Sequence, residues 1–326
     1  MNDCKPIVPR APELAATNAR AIADARSMVW LGGGEFTMGS ERHYPEERPQ
    51  RRVQANGFWI DETPVTNRQF AAFVEATGYR TFAETAPLAD DYPGAPPENL
   101  EAGSMVFVGS SQPVRLDRPE MWWAFVHGAD WRHPTGPESA HDGLDDHPVV
   151  HVALVDIEAY CQWAGTVLPT EAEWEFAARA GLDDAEFAWG DEFEPGGVAQ
   201  ANTWQGAFPY HNRLADGWLR TSPVGAFGKN RYGLSDMIGN VWEWTADWWS
   251  EGNIAEARTC CSVRRSSAAP GDPLRIPRRV LKGGSHLCAP NYCRRYRPAA
   301  RHAHPVDTST SHVGFRCIVR PPYSGA

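Results

Sequence analysis

The stretch "GGSHLCAPNYCRRYR", Gly283 to Arg297, decides how this chain is read. It sets Cys288 and Cys293 five positions apart, behind two glycines and ahead of Arg294, Arg295 and Arg297. Two thiols so spaced can close a disulfide, bind a soft metal ion, act as nucleophiles or simply pack. A closed tetrahedral zinc site needs four ligands, and no further Cys or His pair at zinc spacing lies nearby. A two-thiolate site suits Cu(I), which tolerates low coordination and leaves room for a third sulfur from a substrate. The neighbouring arginines would favour thiolate by their charge. The chemistry of these residues leaves a redox disulfide and two buried thiols open beside the copper reading.

The rest of the chain sets the frame around that segment. Its 326 residues are 42% hydrophobic and 22% charged, an ordinary globular balance with ample length for a core. With 29 Gly, 27 Pro and 14 Trp, the expectation is an irregular, loop-rich fold packed on aromatic rings, with few long helices. A net charge of -10 argues against a nucleic-acid partner, which needs a basic face. A local basic run, Arg294 to Arg301, reads as a solvated or internally paired cluster, with anion steering or support of the nearby thiols as the alternative. No stretch approaches the roughly 18–20 apolar residues of a membrane span. The N-terminal "MNDCKPIVPRAPELAATNARA" has no apolar run fit for a signal peptide, so a cytoplasmic protein is expected. The seven cysteines (4, 161, 260, 261, 288, 293 and 317) form no regular framework, as suits a reducing compartment.

Along the chain, residues 1–27 read as a polar, Ala-rich tail with one short helix, and 28–326 as a single domain. "MVWLGGGEFTMGS" from Met28 predicts strand, glycine turn, strand. A further strand is predicted over 57–60. "TNRQFAAFVEATGY" predicts a helix capped by Thr66 or Asn67, burying Phe70, Phe73 and Val74, and stopped by Gly78. Residues 83–146, with the run "MWWAFV" at 121–126, read as long ordered loops. "HPVVHVALVDIEAYCQWAG" predicts a short strand and a helix over 155–163. "LPTEAEWEFAARAG" predicts a third helix, with a Thr170/Glu173 capping box and Gly181 as its end. Beyond 182 only loops and short strands are expected.

Common catalytic motifs are missing: no GxGxxG after a strand, no Walker A sequence, no HExxH and no GxSxG. His141, His147 and His151 sit at spacings a strand could turn into a metal site, although a structural role reads better. The acidic clusters say more. "YGLSDMIGNVWEW" gathers Asp236, Gly239, Asn240, Val241 and Glu243, offering the mix of carboxylates and turn carbonyls that Ca2+ needs. Asn202 and Asp216, fourteen apart, offer a second such set across a loop. Turn-forming Asx residues are the plainer explanation of both.

At this point the segments together resemble a known family. "GGSHLCAPNYCRRYRPAAR" with "HVGFRC" is similar to the C-terminal signature of formylglycine-generating enzymes, the sulfatase-modifying factors. The resemblance runs back through "GLSDMIGNVWEWTADWW", "LPTEAEWEFAARAG", "HPVVHVALVDIEAYCQWAG", "ETPVTNRQFAAFVEATGY" and "GGGEFTMGS", over about residues 28–320. It implies an irregular α+β fold, similar to C-type lectins, with little regular structure. The implied reaction oxidises the cysteine of a Cys-x-Pro-x-Arg segment in an unfolded sulfatase to Cα-formylglycine, with O2, a thiol reductant and copper. By position, Cys288 and Cys293 match the pair that binds Cu(I), and Ser285 and Trp242 match residues lining the oxygen pocket. One implied structural Ca2+ site takes Asn202, Asp216 and the carbonyls of Thr203 and Trp218. The other takes Asp236, Glu243 and the carbonyls of Gly239 and Val241.

The resemblance has limits that shape further expectations. Cys161 and Cys317 sit where secreted members carry one disulfide, while the positions of another hold Ala178 and Pro298. The wider family includes iron-dependent sulfoxide synthases, which expect a His-rich N-terminal four-helix domain longer than the 27-residue tail. It also includes non-catalytic, lectin-like binding modules, which have no use for two thiols after GGS. The client arginine, four residues beyond the oxidised cysteine, needs an acidic partner about 13 Å from the metal, at roughly 3.3 Å per extended residue. Glu84, Asp90 and Asp91 in the acidic loop are the expected partners. Cys4, Cys260 and Cys261 carry no assigned role.

Overall fold

Short elements joined by long loops make up the computed structural model, which describes residues 16–252 and 267–321. No helix among them exceeds eleven residues. Helix α1 (Ala16–Ala25) leads into β1 (Val29–Leu31) and, across the glycine turn, β2 (Gly34–Met38). β3 (Arg51–Ala55) and β4 (Phe58–Ile60) precede α2 (Asn67–Thr77). β5 (Gly103–Phe107) and β6 (Trp123–His127) come before α3 (Leu154–Ala164) and α4 (Glu171–Arg179). The second half holds β7 (Gly206–Ala207), β8 (His211–Asn212), β9 (Trp242–Trp248), β10 (Arg278–Lys282), β11 (Arg301–Pro305), β12 (Val313–Gly314) and β13 (Ile318–Val319). The strands form a four-stranded sheet β11-β10-β9-β12, a three-stranded sheet β1-β4-β13, and the hairpins β2-β3, β5-β6 and β7-β8. This is one α+β domain of low regular structure, as the sequence leads one to expect. Cys4, Cys260 and Cys261 lie outside the described residues.

The helix signals act as read. Thr66 and Gln69 form a reciprocal capping box on α2, and Gly78 ends it in the left-handed conformation at φ 67°. Thr170 and Glu173 do the same for α4. That helix ends one residue early, with Ala180 rather than Gly181 taking the first left-handed position. Two expectations differ. The run around Trp123 is a strand, β6, paired antiparallel with β5. Its partner lies some twenty residues back, too far for local alternation to reveal. "HPVVH" is not a strand: His151 adopts φ 61°, which breaks an extended run.

Burial explains the layers. α4 lies against the four-stranded sheet across an ionic layer. Lys282, wholly buried, donates to Glu175 at 2.8 Å and lies 3.5 Å from Glu171. Glu171 in turn receives Arg301, and Glu175 receives Arg179 at 2.7 Å. Buried charges persist only when paired in this way. α1, the short helix expected within the tail, packs Ile22 against Gly165. Arg26, just beyond it, donates to Asp61 at 2.8 Å and to Tyr160 at 3.1 Å.

Candidate active site

The Cys288–Cys293 segment leaves the end of β10 through Gly283 and Gly284, both at positive φ. A Cβ on Gly284 would stand 2.8 Å from the carbonyl oxygen of Arg295, so the glycine lets the two passes of backbone touch. Tight turns then follow: Cys288 N–H donates to Ser285 O, and Cys293 N–H donates to Ala289 O, each at 2.9 Å. These turns fold the two cysteines onto each other. Their sulfurs lie 3.2 Å apart, well beyond the ~2.05 Å of a disulfide. Both are free thiols, Cys288 buried and Cys293 half-buried. Ser285 N–H donates to Cys288 Sγ at 3.4 Å, and Ser285 Oγ accepts from Leu287 N–H.

The electrostatics split the pair. The hydrogen bond from Cys288 lowers Cys293 to about 7, and the charge of Arg295 adds to it. Burial pushes Cys288 up, and its neighbour adds to the rise. Cys293 is therefore the more acidic of the two sulfurs, and Cys288 the one that holds its proton. Of the three arginines, Arg295 is the one that reaches sulfur, 3.9 Å from Cys293 Sγ. It is held there by Glu46 at 2.6 Å and by the ring of Tyr44, 3.8 Å from its guanidinium carbon. Arg297 is spent on buried Glu47, and Arg294 on Glu186. The expected internal pairing of this basic run is thus observed. Tyr44, Glu46 and Glu47 went unnoticed in the sequence, since nothing local ties "YPEE" to a segment some 250 residues on.

An aromatic wall flanks the thiols. Tyr292 stacks on Phe208 with ring centroids 4.6 Å apart, and Trp122 meets both edge-on. Trp204 N–H donates to Cys288 O at 3.1 Å. Tyr292 is part-exposed, so the wall opens to solvent beside the half-buried Cys293. Trp242, on β9, is buried in the same core as Cys288, its ring stacked on His302.

The acidic clusters adjoin the thiol segment through backbone: Gly239 N–H donates to Gly283 O, and His286 N–H donates to Asn240 O. Asn202 Nδ2 donates to Arg220 O at 2.8 Å, which fixes the amide and leaves its buried Oδ1 without a hydrogen-bond partner. Asp216 accepts from the N–H groups of Thr203 and Trp218, so the expected ligands do converge on one loop. Burial raises the Asp216 carboxyl. In the second cluster, burial raises Asp236 to about 6. Glu243 is engaged by Arg316 through both oxygens and by Trp174 Nε1. Gly239 packs its Cα against Asn202 O, which puts the two clusters side by side. Among the described residues, no three His, Cys, Asp or Glu side chains gather where they could hold a metal. Either calcium set therefore depends on backbone carbonyls.

The histidines do not converge. His147 pairs with Thr221, His151 with Ser104 and Pro134 O, and His141 lies against Trp131. Glu84 is committed to Arg132 at 2.7 Å and to Thr81, so it is not free for a client arginine. Asp90 and Asp91 stay exposed.

With the site in view, its relatives can be weighed. Residues 12–321 match the Sulfatase-modifying factor enzyme 1-like domain. The formylglycine-generating enzyme of Mycobacterium tuberculosis is 52% identical over 295 residues, covering 90% of this chain and 98% of its own. That of Thermomonospora curvata is 46% identical over 307 residues, covering 91% and 94%. Among solved structures, PvdO from Pseudomonas aeruginosa aligns with a TM-score of 0.58 at 24% identity, over 89% of this chain and 93% of its own, a likeness of fold. The chain belongs to the sulfatase-modifying factor family, that of the formylglycine-generating enzymes.

Proposed function

We propose that this protein is an enzyme that converts a cysteine of an unfolded sulfatase segment, of the type Cys-x-Pro-x-Arg, to Cα-formylglycine. The observation that carries the reading is the Cys288–Cys293 pair, two free thiols 3.2 Å apart with a cation held against one of them. The named relatives support the reaction class.

The donor set fits Cu(I): two soft sulfurs, one already biased to thiolate, and half-open access. Bound there, copper(I) supplies a soft, redox-active centre for the client thiolate and O2. The chain's own groups do the rest. Arg295 holds negative charge on Cys293. Ser285 N–H orients Cys288 Sγ. The Tyr292–Phe208–Trp122 wall offers an extended client an apolar bed beside the sulfurs. By the family resemblance, Trp242 and Ser285 would line the pocket for O2. The client loses its sulfur as hydrogen sulfide and O2 becomes water. Two of the four electrons come from the client and two from a thiol reductant.

Two Ca2+ ions fit less evenly. Asn202, with its unpartnered Oδ1, Asp216 and the carbonyls of Thr203 and Trp218 would hold one. Asp236, Glu243 and the carbonyls of Gly239 and Val241 would hold the other. There Glu243 already serves Arg316, and its Oε1 carries a single hydrogen bond that leaves a lone pair free. Asp90 and Asp91 are the exposed carboxylates left to meet the client arginine.

The test is incubation with a Cys-x-Pro-x-Arg peptide, copper, a thiol reductant and air, followed by mass spectrometry. The expected product is the aldehyde peptide. An unchanged peptide under full copper loading would refute the reading.

A further inference from the structure

A closed circuit of backbone hydrogen bonds holds Cys288 in place. Trp204 N–H donates to Cys288 O at 3.1 Å. Asn240 N–H donates to Asn202 O, and His286 N–H donates to Asn240 O, each at 2.9 Å. Residues 202–204 and 286–288 are short runs of chain, so the three bonds close on themselves. Three segments distant in sequence are thereby fixed to one another around the Cys288 backbone. Thr203, inside the circuit, donates its N–H to Asp216.

Asn240 links the two runs. It is wholly buried and adopts a left-handed backbone at φ 57°, which Asn tolerates better than most residues with a Cβ. Its carbonyl is gripped twice by His286, through the backbone N–H and through Nδ1 at 2.8 Å. A carbonyl only accepts, so His286 carries its proton on Nδ1. The Asn240 side chain makes a separate attachment. Nδ2 donates to Ser222 O at 3.1 Å, and Oδ1 accepts from Ser222 N–H at 3.0 Å. Ser222 is itself wholly buried, so its backbone groups need the partners that this amide supplies. The amide anchors residue 240 to the 222 turn while its backbone holds the thiol segment.

We propose that Asn240 is a positioning residue for the thiol pair, an inference that rests on the two-sulfur Cu(I) reading. Held by Ser222, it fixes His286 and so sets where Cys288 Sγ meets Cys293. Asn240 itself lies outside the residues that would hold copper. Groups just beyond the ligands that orient them typically change metal affinity by roughly 10–100-fold when removed.

The experiment measures Cu(I) affinity by anaerobic competition of the reduced protein against the chelator bicinchoninate. Only copper that Cys293→Ser no longer binds is counted. Wild type, Asn240→Ala and Asn240→Gly are compared at a temperature where near-UV circular dichroism shows each fully folded. A role in stability alone then leaves the affinity unmoved. Glycine accepts the left-handed backbone without strain, and serves if the alanine variant does not fold. Thr66→Ala, which removes the cap of α2, is the destabilised control and is expected to keep wild-type affinity. Asn240→Ala is expected to bind Cu(I) about tenfold more weakly or worse, and Asn240→Gly to lose less. Affinity within about twofold of wild type in the folded variants, or an equal fall in the control, would overturn the proposal and leave the functional reading intact. No Cys293-dependent copper in the wild type would overturn both.

Discussion

Among the described residues two pairs of thiols face each other, and they are not alike. Cys288 and Cys293 lie 3.2 Å apart, and Cys161 and Cys317 lie 3.8 Å apart. Proximity is nearly the same; surroundings are not. Arg295 stands against Cys293 and lowers it, and one side of that pair is open. Cys161 and Cys317 are both buried, and burial pushes Cys317 up. The charge near Cys317 is Asp61, which also accepts its N–H, while Arg26 is already spent on Asp61. A pair becomes a site through access and a cation aimed at sulfur, not through two sulfurs meeting.

That contrast can be broken by substitution. Cys288→Ser or Cys293→Ser should cut peptide turnover by about 10^3-fold or more with the fold retained, since a hydroxyl is a poor ligand for a soft ion. Cys161→Ala or Cys317→Ala should leave the rate within about twofold and cost about 1 kcal/mol of stability. Turnover assays and melting curves on the four variants separate the pairs. A comparable loss of rate from both pairs would erase the distinction.

The buried cations sharpen it. Lys282→Met should destabilise the protein by about 3 kcal/mol, because Glu175 and Glu171 lose a partner inside the sheet–helix layer. Chemical denaturation measures this; a neutral result would mean that Arg179 and Arg301 suffice for both glutamates. Chelating calcium from the purified protein should lower stability by about 2–3 kcal/mol if the Asn202–Asp216 and Asp236–Glu243 loops are occupied. Melting curves with and without chelator, each checked for metal content, would show it. Arg295→Gln has a smaller and more local effect. It should raise the alkylation midpoint of Cys293 by about one pH unit without changing stability much, since one unit is about 1.4 kcal/mol.

What was legible in the sequence followed from local chemistry. The caps of Thr66 and Thr170 and the stop at Gly78 rest on residues a few positions apart. What was not legible depends on distant partners. The strand at Trp123 required β5, the placement of Arg295 required Tyr44 and Glu46, and the commitment of Glu84 required Arg132. The left-handed His151, which cancels the predicted strand, is held by Ser104 and Pro134, neither of them local. The thiol pair was visible as two cysteines and an arginine run, but which arginine reaches sulfur was decided by where the other two found their carboxylates.

The most direct measurement is the pH dependence of cysteine alkylation in the reduced, copper-free protein, resolved by residue with mass spectrometry. Labelling follows the thiolate fraction, so it rises with pH through each group's own midpoint. The prediction is a Cys293 midpoint near 7, with Cys317, whose thiol burial pushes up, unlabelled until the pH is far higher, and buried Cys161 unlabelled until the fold is lost. Labelling of Cys161 or Cys317 in step with Cys293 would contradict the claim that surroundings, rather than proximity, make one pair reactive.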